Sequence, residues 1–156
     1  MCEETFNRLQ GLLKKATEFG ADAAEVVYVH QESLSHSQRF GKTENIERAE
    51  NADIGLRVFK GKKQSVVSSS DQTPSALNNL AERAVAMAKA VPQDEFCGLA
   101  DPDQLQKKEP PALEMFDESK PDTDTLIEWA RSAEGAALEV NGITNSEGAE
   151  AGWMQS

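Results

Sequence analysis

The sequence contains few of the residues from which catalytic and metal-binding sites are usually built. It has two cysteines, Cys2 and Cys97, and two histidines, His30 and His36. The cysteines lie far apart and neither has a closely spaced partner, which argues against a disulfide framework and a cysteine-rich zinc motif. We therefore expect free thiols in a reducing compartment, and we predict a cytoplasmic location.

Long hydrophobic runs are also absent. No run is long enough to cross a bilayer, and the first residues lack the basic and apolar regions of a signal peptide. We therefore predict no membrane partner. The 38% hydrophobic and 28% charged residues are typical of a globular chain, and 156 residues are enough for one domain with an additional segment.

Positive charge is scarce, and the negative charge is unevenly distributed. The net charge of the chain is −11. Between Pro92 and Glu128, 11 acidic residues stand against three lysines, which gives this segment a balance of −8. Because an acidic surface repels a phosphate backbone, we expect no nucleic-acid partner. The acidic segment itself is typical of a solvated connection between structured parts.

The apolar pattern near the start of the chain predicts a helix followed by several strands. From Thr5 to Phe19 apolar residues recur every three or four positions, and Gly20 ends this helix. Its apolar stripe consists of Phe6, Leu9, Leu13 and Ala16. Period-two alternation and turn residues then predict an antiparallel meander of about four strands. The strands are placed at residues 26–40, 42–50, 54–59 and 64–70.

A second helix follows the meander. Thr73 can cap it, Pro74 fits its first turn, and Pro92 ends it. Its predicted apolar face consists of Leu77, Leu80, Ala84, Met87, Ala88 and Val91. If both helices cover one face of the sheet, the result is a two-layer α+β fold.

The remaining sequence predicts a linker, a third helix and the start of a further strand. The linker is acidic and proline-rich, and Asp122 or Thr123 caps the helix. The predicted apolar stripe of this helix consists of Leu126, Ile127, Ala130, Ala133, Ala137 and Leu138. In the last strand Ala149, Ala151 and Trp153 share one side.

The predicted elements suggest three parts of the chain. Residues 1–91 form an N-terminal α+β domain, residues 92–121 a linker, and residues 122–156 a helix and a first strand. Because no turn or partner strand follows this last strand, we expect the chain to be the front piece of a longer protein whose C-terminal part is missing here.

The two histidines do not converge on a common site in this prediction. On one extended strand His30 and His36 would be separated by roughly 20 Å, too far to bind the same zinc ion. The sequence also lacks a His-Glu-x-x-His helix, a Gly-x-Ser-x-Gly elbow, a phosphate loop and a dinucleotide fingerprint. We interpret both histidines as surface imidazoles.

Three glutamates on the second predicted strand do not converge either. Glu44 and Glu50 would share one face about 20 Å apart, while Glu47 points to the other face. Their alternation with Lys42 and Arg48 predicts an exposed sheet surface with ion pairs, rather than an acid–base pair or a cation site.

The remaining candidates are three lysines and two tryptophans. Lys60, Lys62 and Lys63 could contact a phosphate or an acidic partner, but lysines at a hairpin tip more often prevent edge-to-edge aggregation. We interpret Trp129 and Trp153 as packing anchors, because no basic groove surrounds them. We therefore assign no catalytic, cofactor-binding or metal-binding residue to this chain.

Several short segments follow one another along the chain in a distinctive order. They are Gly-Ala-Asp-x-Ala-Glu-Val (Gly20–Val26), a Gly-x-x-Glu turn (Gly41–Glu44), a Gly-Leu-Arg-Val strand (Gly55–Val58), a Ser-Ser-x-Asp exit (Ser68–Asp71), and then CGLADPDQL, PPALEMFD and ITNSEGA. In this order they resemble the TldD/PmbA family, once called modulators of DNA gyrase and now regarded as metallopeptidases. The later segments are more similar to the PmbA type, also called TldE, than to TldD.

The resemblance implies a two-subunit protease that trims flexible peptides bound in extended form. In that family TldD carries zinc on a His-Glu-x-x-x-His helix beyond the present region, and PmbA-type subunits lack this helix and complete the chamber. No histidine follows His36, so no zinc ligand can be carried over to this chain. The implied function is a non-catalytic N-terminal scaffold of a PmbA/TldE-like subunit, with a TldD-type partner that holds the zinc.

A function of a different class remains open from the residues alone. An unpaired strand at a sheet edge can bind an extended peptide or another subunit through main-chain hydrogen bonds. The alternative hypothesis is therefore a free-standing interaction domain that binds a peptide or a protein through its sheet edge.

Overall fold

The computed structural model describes residues 3–109 and 111–156. Its elements follow in the order α1 (Glu3–Glu18), β1 (Ala23–Arg39), β2 (Lys42–Phe59), β3 (Gln64–Ser69), α2 (Pro74–Ala90), a short 3₁₀ helix (Pro102–Gln104), α3 (Thr123–Leu138) and β4 (Ala149–Gln155). The strands form one antiparallel sheet in the order β3-β2-β1-β4. The α+β fold predicted from the sequence is therefore confirmed.

The chain divides into two compact units. The first consists of Met1–Val29 and Ala52–Pro111, and the second of His30–Asn51 and Ala112–Ser156. Both β1 and β2 contribute residues to each unit. The three-part division at residues 91 and 121 remains a prediction.

In the first unit, α1, α2, β2 and β3 enclose the hydrophobic core. Ile54, Leu56 and Val58 alternate along β2 and are fully buried, as a period of two predicts. Helix α2 begins after Thr73, whose hydroxyl oxygen accepts a hydrogen bond from the Ala76 amide at 3.4 Å. Helical residues that complete this core are Leu9, Leu12, Ala16, Leu77, Leu80, Ala81, Ala84, Val85 and Ala88.

The buried faces of α1 and α2 differ slightly from the predicted stripes. Phe6 and Met87 were expected in the core but are 49% and 42% exposed. Leu12 and Val85 are buried instead. Packing against the neighbouring elements decides which apolar residues of each helix are covered.

Two predicted strands are in fact one. The separate strands at residues 42–50 and 54–59 are both part of β2, which continues through the Asn51-Ala52-Asp53 segment. Asparagine and aspartate favour turns locally, but strand pairing within the sheet keeps this segment extended. The predicted further strand is β4, which pairs with β1 as the fourth strand of the same sheet.

In the second unit, α3 begins at Thr123 and is capped by Asp122, one of the two predicted cap residues. The carboxylate of Asp122 accepts a hydrogen bond from the Thr125 amide at 2.9 Å. Leu126 and Ala130 are buried along this helix, and Glu134 is buried one turn further on. Among the residues that the structure describes, no helix combines the length and apolar character that a membrane span requires.

The thiol of Cys97 is free, as expected, and it is buried. The corresponding expectation for Cys2 falls outside the described residues. The lysines predicted at the turn after β2 do occupy that position.

Candidate functional site

His36 does not lie on the surface, and the prediction of a surface imidazole is wrong for this residue. Its side chain is fully buried, and its Nε2 atom lies 3.1 Å from the Thr43 hydroxyl oxygen. Within residues 3–109 and 111–156, its Nδ1 atom has no hydrogen-bond partner. His36 shares a face of β1 with Gln38, which contacts Glu134 of α3, and this covered face explains the burial.

His30, in contrast, is exposed as predicted and belongs to a small cluster. Its Nε2 atom lies 3.0 Å from a carboxylate oxygen of Glu50. Each of His30, Glu32 and Glu50 has one possible metal-ligand atom that lies within 4.8 Å of those of the other two. Glu50 comes from β2, so the cluster arises from strand pairing, which spacing along one strand could not show. Among the described residues, these three side chains form the group of histidine and acidic residues whose ligand atoms are close enough to bind one cation together.

A lysine already neutralises part of this cluster. Lys120 forms an ion pair with Glu32, and its hydrogen bond is the main reason that the pKa of Glu32 is lowered. Lys120 also lies over the Trp153 ring, 5.1 Å from its centroid. The Trp153 indole nitrogen donates to the Ser119 carbonyl oxygen at 2.9 Å. Trp153 therefore ties the segment before α3 to β4.

Trp153 also lines a concavity of the second unit. This concavity has a volume of about 380 Å³, and its wall includes Glu32, Leu34, Ile46, Arg48, Lys120 and Trp153. The second tryptophan, Trp129, is 53% exposed, so its interpretation as a packing anchor is wrong. Trp129 lies beside the buried Ala130 on α3, and the helix turns the larger side chain outward.

The glutamates of β2 are exposed as predicted. Glu44, Glu47 and Glu50 all face solvent. The predicted ion pairs with Lys42 and Arg48 do not form among the described residues, where Glu50 pairs with His30 instead. Glu50 thus contacts a side chain of the neighbouring strand β1 rather than one of its own strand.

The three lysines after β2 are used within the first unit. Lys60 pairs with Asp22 at 2.6 Å, and this bond is the main reason that the pKa of Asp22 is lowered. Lys62 and Lys63 donate to the carbonyl oxygens of Glu95 and Lys89 at 3.2 and 3.0 Å. These contacts fasten the hairpin to the end of α2 and the segment after it.

The most elaborate polar arrangement lies at the turn between β1 and β2, here called the β1–β2 tip (Arg39–Lys42). The Glu134 carboxylate accepts hydrogen bonds from the Phe40 amide at 2.7 Å and the Gly41 amide at 2.9 Å. Gln38 donates to it at 3.0 Å and the Ser146 hydroxyl at 2.9 Å. Four donors therefore surround one carboxylate that is only 4% exposed.

These hydrogen bonds set the protonation state of Glu134. The Gly41 amide is the largest cause, followed among the donors by Phe40, Ser146 and Gln38, and together they lower the pKa of Glu134 from 4.5 to about 2. Burial acts in the opposite direction but is outweighed. Glu134 is therefore a stable carboxylate, suited to holding backbone amides rather than to transferring protons at neutral pH.

The backbone around this carboxylate is unusual. Phe40 and Gly41 have φ angles of 48° and 71°, in the left-handed region. Gly148 has φ 116°, and a Cβ atom there would lie 2.6 Å from the Gln38 carbonyl oxygen. Only glycine allows the segment before β4 to approach β1 this closely.

Sequence reasoning did not identify Glu134. It lies four residues after Ala130 and eight after Leu126, on the buried face of α3, and a glutamate in such a series is a signal for a buried acceptor. Three of its four partners, Gln38, Phe40 and Gly41, lie more than 90 residues earlier in the chain. Periodicity along one helix carries no information about such distant donors.

Comparison with known families gives a consistent result. Residues 24–88 match the family described as PmbA/TldA metallopeptidase domain 1. The Haemophilus influenzae "Metalloprotease PmbA homolog" is 38% identical over 135 residues, covering 86% of this chain and 30% of that protein. Metalloprotease PmbA from Escherichia coli O157:H7 is 33% identical over 129 residues, covering 82% of this chain and 28% of that protein. The chain thus spans less than a third of the length of these curated relatives.

Solved structures show the same fold. A modulator of DNA gyrase from Bacteroides thetaiotaomicron matches 98% of this chain and 34% of its own, with a TM-score of 0.81 and 20% identity. TldE from Thermococcus kodakarensis matches 94% of this chain and 33% of its own, with a TM-score of 0.72 and 20% identity. At this identity the two structures support the fold alone.

Proposed function

Because this chain belongs to the PmbA/TldD family, we propose that it is the N-terminal scaffold of a PmbA/TldE-like subunit in a zinc metallopeptidase complex. The observation that carries the proposal is the 38% identity to a metalloprotease PmbA homologue over 135 residues. The whole protein's activity is part of the proposal, since the chain covers 30% of that relative.

We propose that this chain contributes no catalytic residue. The described residues bring one histidine together with two carboxylates; His30 and Glu50 are exposed, and the half-buried Glu32 is already paired to Lys120. The buried carboxylate, Glu134, is surrounded by hydrogen-bond donors that belong to the chain itself. Both arrangements suit support of the fold better than peptide hydrolysis, which needs a polarised water or a free nucleophile.

The proposed partner is a TldD-type subunit that holds the catalytic zinc. The proposed substrate is a flexible peptide bound in extended form, and the proposed location is the cytoplasm. Support for the partner comes from membership of a family that contains both subunit types. No nucleic acid or membrane partner is proposed, because the net charge of −11 disfavours binding to phosphate groups.

The decisive experiment mixes this chain with a TldD-type subunit. Complex formation is followed by size-exclusion chromatography, and cleavage of an unstructured peptide is followed with and without a zinc chelator. We expect co-elution with the TldD-type subunit and no cleavage by the chain alone. Chelator-sensitive cleavage by the chain alone would contradict the non-catalytic assignment, and separate elution would contradict the proposed partnership.

A second candidate function is supported by the position of β4. This strand lies at one end of the sheet order β3-β2-β1-β4, so one of its edges has no neighbouring strand among the described residues. An extended peptide could add to that edge by main-chain hydrogen bonds. Binding of a fluorescent unstructured peptide by the chain alone, without any TldD-type subunit, would favour this interaction domain.

A further inference from the structure

The β1–β2 tip presents an aromatic side chain in an unfavourable backbone conformation. Phe40 has φ 48°, whereas L-residues with a Cβ atom avoid the left-handed region. Turns of this kind normally use asparagine or glycine, which adopt the conformation at lower cost. The Phe40 ring is 52% exposed, so it does not repay this cost by packing in a core.

The tip is nevertheless held firmly. The buried Glu134 carboxylate accepts hydrogen bonds from both tip amides, Phe40 and Gly41. Next to them, Arg39 donates to the Ser146 carbonyl oxygen at 2.9 Å. An exposed aromatic on such a fixed support loses little conformational freedom on binding, which is what an interface anchor requires.

The charge of the tip contrasts with that of the whole chain. The Arg39 guanidinium lies 5.6 Å from the centroid of the Phe40 ring, and Lys42 is exposed beside it. The chain carries a net charge of −11, so the tip is a small surface patch with cationic and aromatic side chains on an acidic protein. Such a patch is complementary to an apolar pocket that has an acidic rim.

We propose that the β1–β2 tip is a docking point, and that Phe40 inserts into an apolar pocket with an acidic rim on the TldD-type subunit. This inference rests on the proposed function, which supplies that subunit as partner. Arg39 and Lys42 pair with the acidic rim, and Glu134 acts as a positioning residue that fixes the direction in which Phe40 points. The strained backbone is the structural cost of placing an aromatic ring at the end of the hairpin.

The test compares Phe40→Gly with the wild-type chain. Glycine keeps both amides that bind Glu134 and relieves the left-handed strain, which offsets its larger entropy in the unfolded chain, so the urea midpoint should change little. The affinity for the TldD-type subunit should fall by about tenfold or more, as expected for an aromatic anchor. Phe116→Gly, at a phenylalanine that is 64% exposed, serves as the matched control and should leave the affinity unchanged.

Each outcome has a defined meaning. Wild-type binding that Phe40→Gly does not weaken would overturn the docking inference while leaving the proposed function intact. Failure of the wild-type chain to bind the TldD-type subunit would overturn both. A Phe40→Gly variant that unfolds at lower urea would assign the ring a structural role and overturn the inference. If the wild-type chain self-associates and Phe40→Gly abolishes this self-association, the partner that receives Phe40 is a second copy of the chain, which would contradict the proposal.

Discussion

At the scale of single residues, Glu134 connects parts of the chain that are distant in sequence. Its carboxylate joins the β1–β2 tip, the end of β1 and the segment before β4. A buried carboxylate with too few donors would be costly, but here four donors surround it. The side chain is therefore a structural acceptor on which the local backbone depends.

We predict that changes at Glu134 destabilise the second unit. Glu134→Ala removes the acceptor for two backbone amides, and Glu134→Gln retains one acceptor oxygen, so the alanine variant should be the less stable. Hydrogen exchange at the Phe40 and Gly41 amides should become faster in both. Glu128→Gln, at an exposed position of the same helix, should change the free energy of unfolding by less than about 0.5 kcal/mol. Unchanged exchange in Glu134→Ala would disprove the contact.

The pKa of Glu134 predicts a specific dependence of stability on pH. The folded pKa is about 2, below the ordinary value of 4.5, so the ionised form is favoured by folding. This stabilisation is present above pH 4.5 and is lost as the pH falls towards 2. Urea unfolding from neutral pH into this range should show the loss in wild type. Glu134→Gln should show a weaker dependence, and identical profiles would contradict the assignment.

We also predict that Gly148 is intolerant of substitution. Gly148→Ala combines a strained φ of 116° with a Cβ atom 2.6 Å from a backbone oxygen, which should lower the free energy of unfolding by about 1–3 kcal/mol. Gly152→Ala is the matched control. There the nearest atoms lie at 3.6 and 3.7 Å, so the change should stay within about 1 kcal/mol. Equal effects in thermal or urea unfolding would argue against the close approach.

At the scale of secondary-structure elements, the sequence was most informative where burial follows a simple period. The alternation of Ile54, Leu56 and Val58 and the caps at Thr73 and Asp122 are local features, and the structure confirms them. Local rules were wrong where pairing decides the conformation. The Asn51-Ala52-Asp53 segment has turn residues yet lies inside β2.

The candidate site was less predictable than the fold because its contacts join distant elements. The cluster of His30, Glu32 and Glu50 requires the register of two strands, and the burial of His36 requires cover by other elements. Neither follows from residue types or from spacing along one strand. A glutamate on the apolar face of α3 was the one local sign that a polar contact had been overlooked.

The core of the first unit gives a prediction at this scale. Leu56 is fully buried on β2, so Leu56→Ala should reduce the free energy of unfolding by about 2–5 kcal/mol through lost burial and a new cavity. Val66 on β3 is 64% exposed, and Val66→Ala should cost less than about 0.5 kcal/mol. Circular dichroism with urea titration would distinguish the two. A small effect at Leu56 would disprove its place in the core.

At the scale of the whole molecule, the central prediction concerns zinc. We expect the purified chain to retain much less than one zinc ion per chain after dialysis, because the proposed zinc site lies in a TldD-type partner. Plasma mass spectrometry measures this directly. A different result would be about one zinc ion per chain in wild type that is lost in His30→Ala. That result would place a metal at the cluster of His30, Glu32 and Glu50 and would contradict the non-catalytic scaffold proposal.

The two compact units share two strands, and this has a consequence for dissection of the protein. The polypeptide passes from one unit to the other at residues 29–30 and 51–52 along β1 and β2, and again at 111–112. A single break in the turn at Gly41 leaves two fragments, and each fragment contains only part of the residues of each unit. Neither unit can then assemble from one fragment alone, so the fold lends itself to fragment complementation rather than to trimming into independent halves.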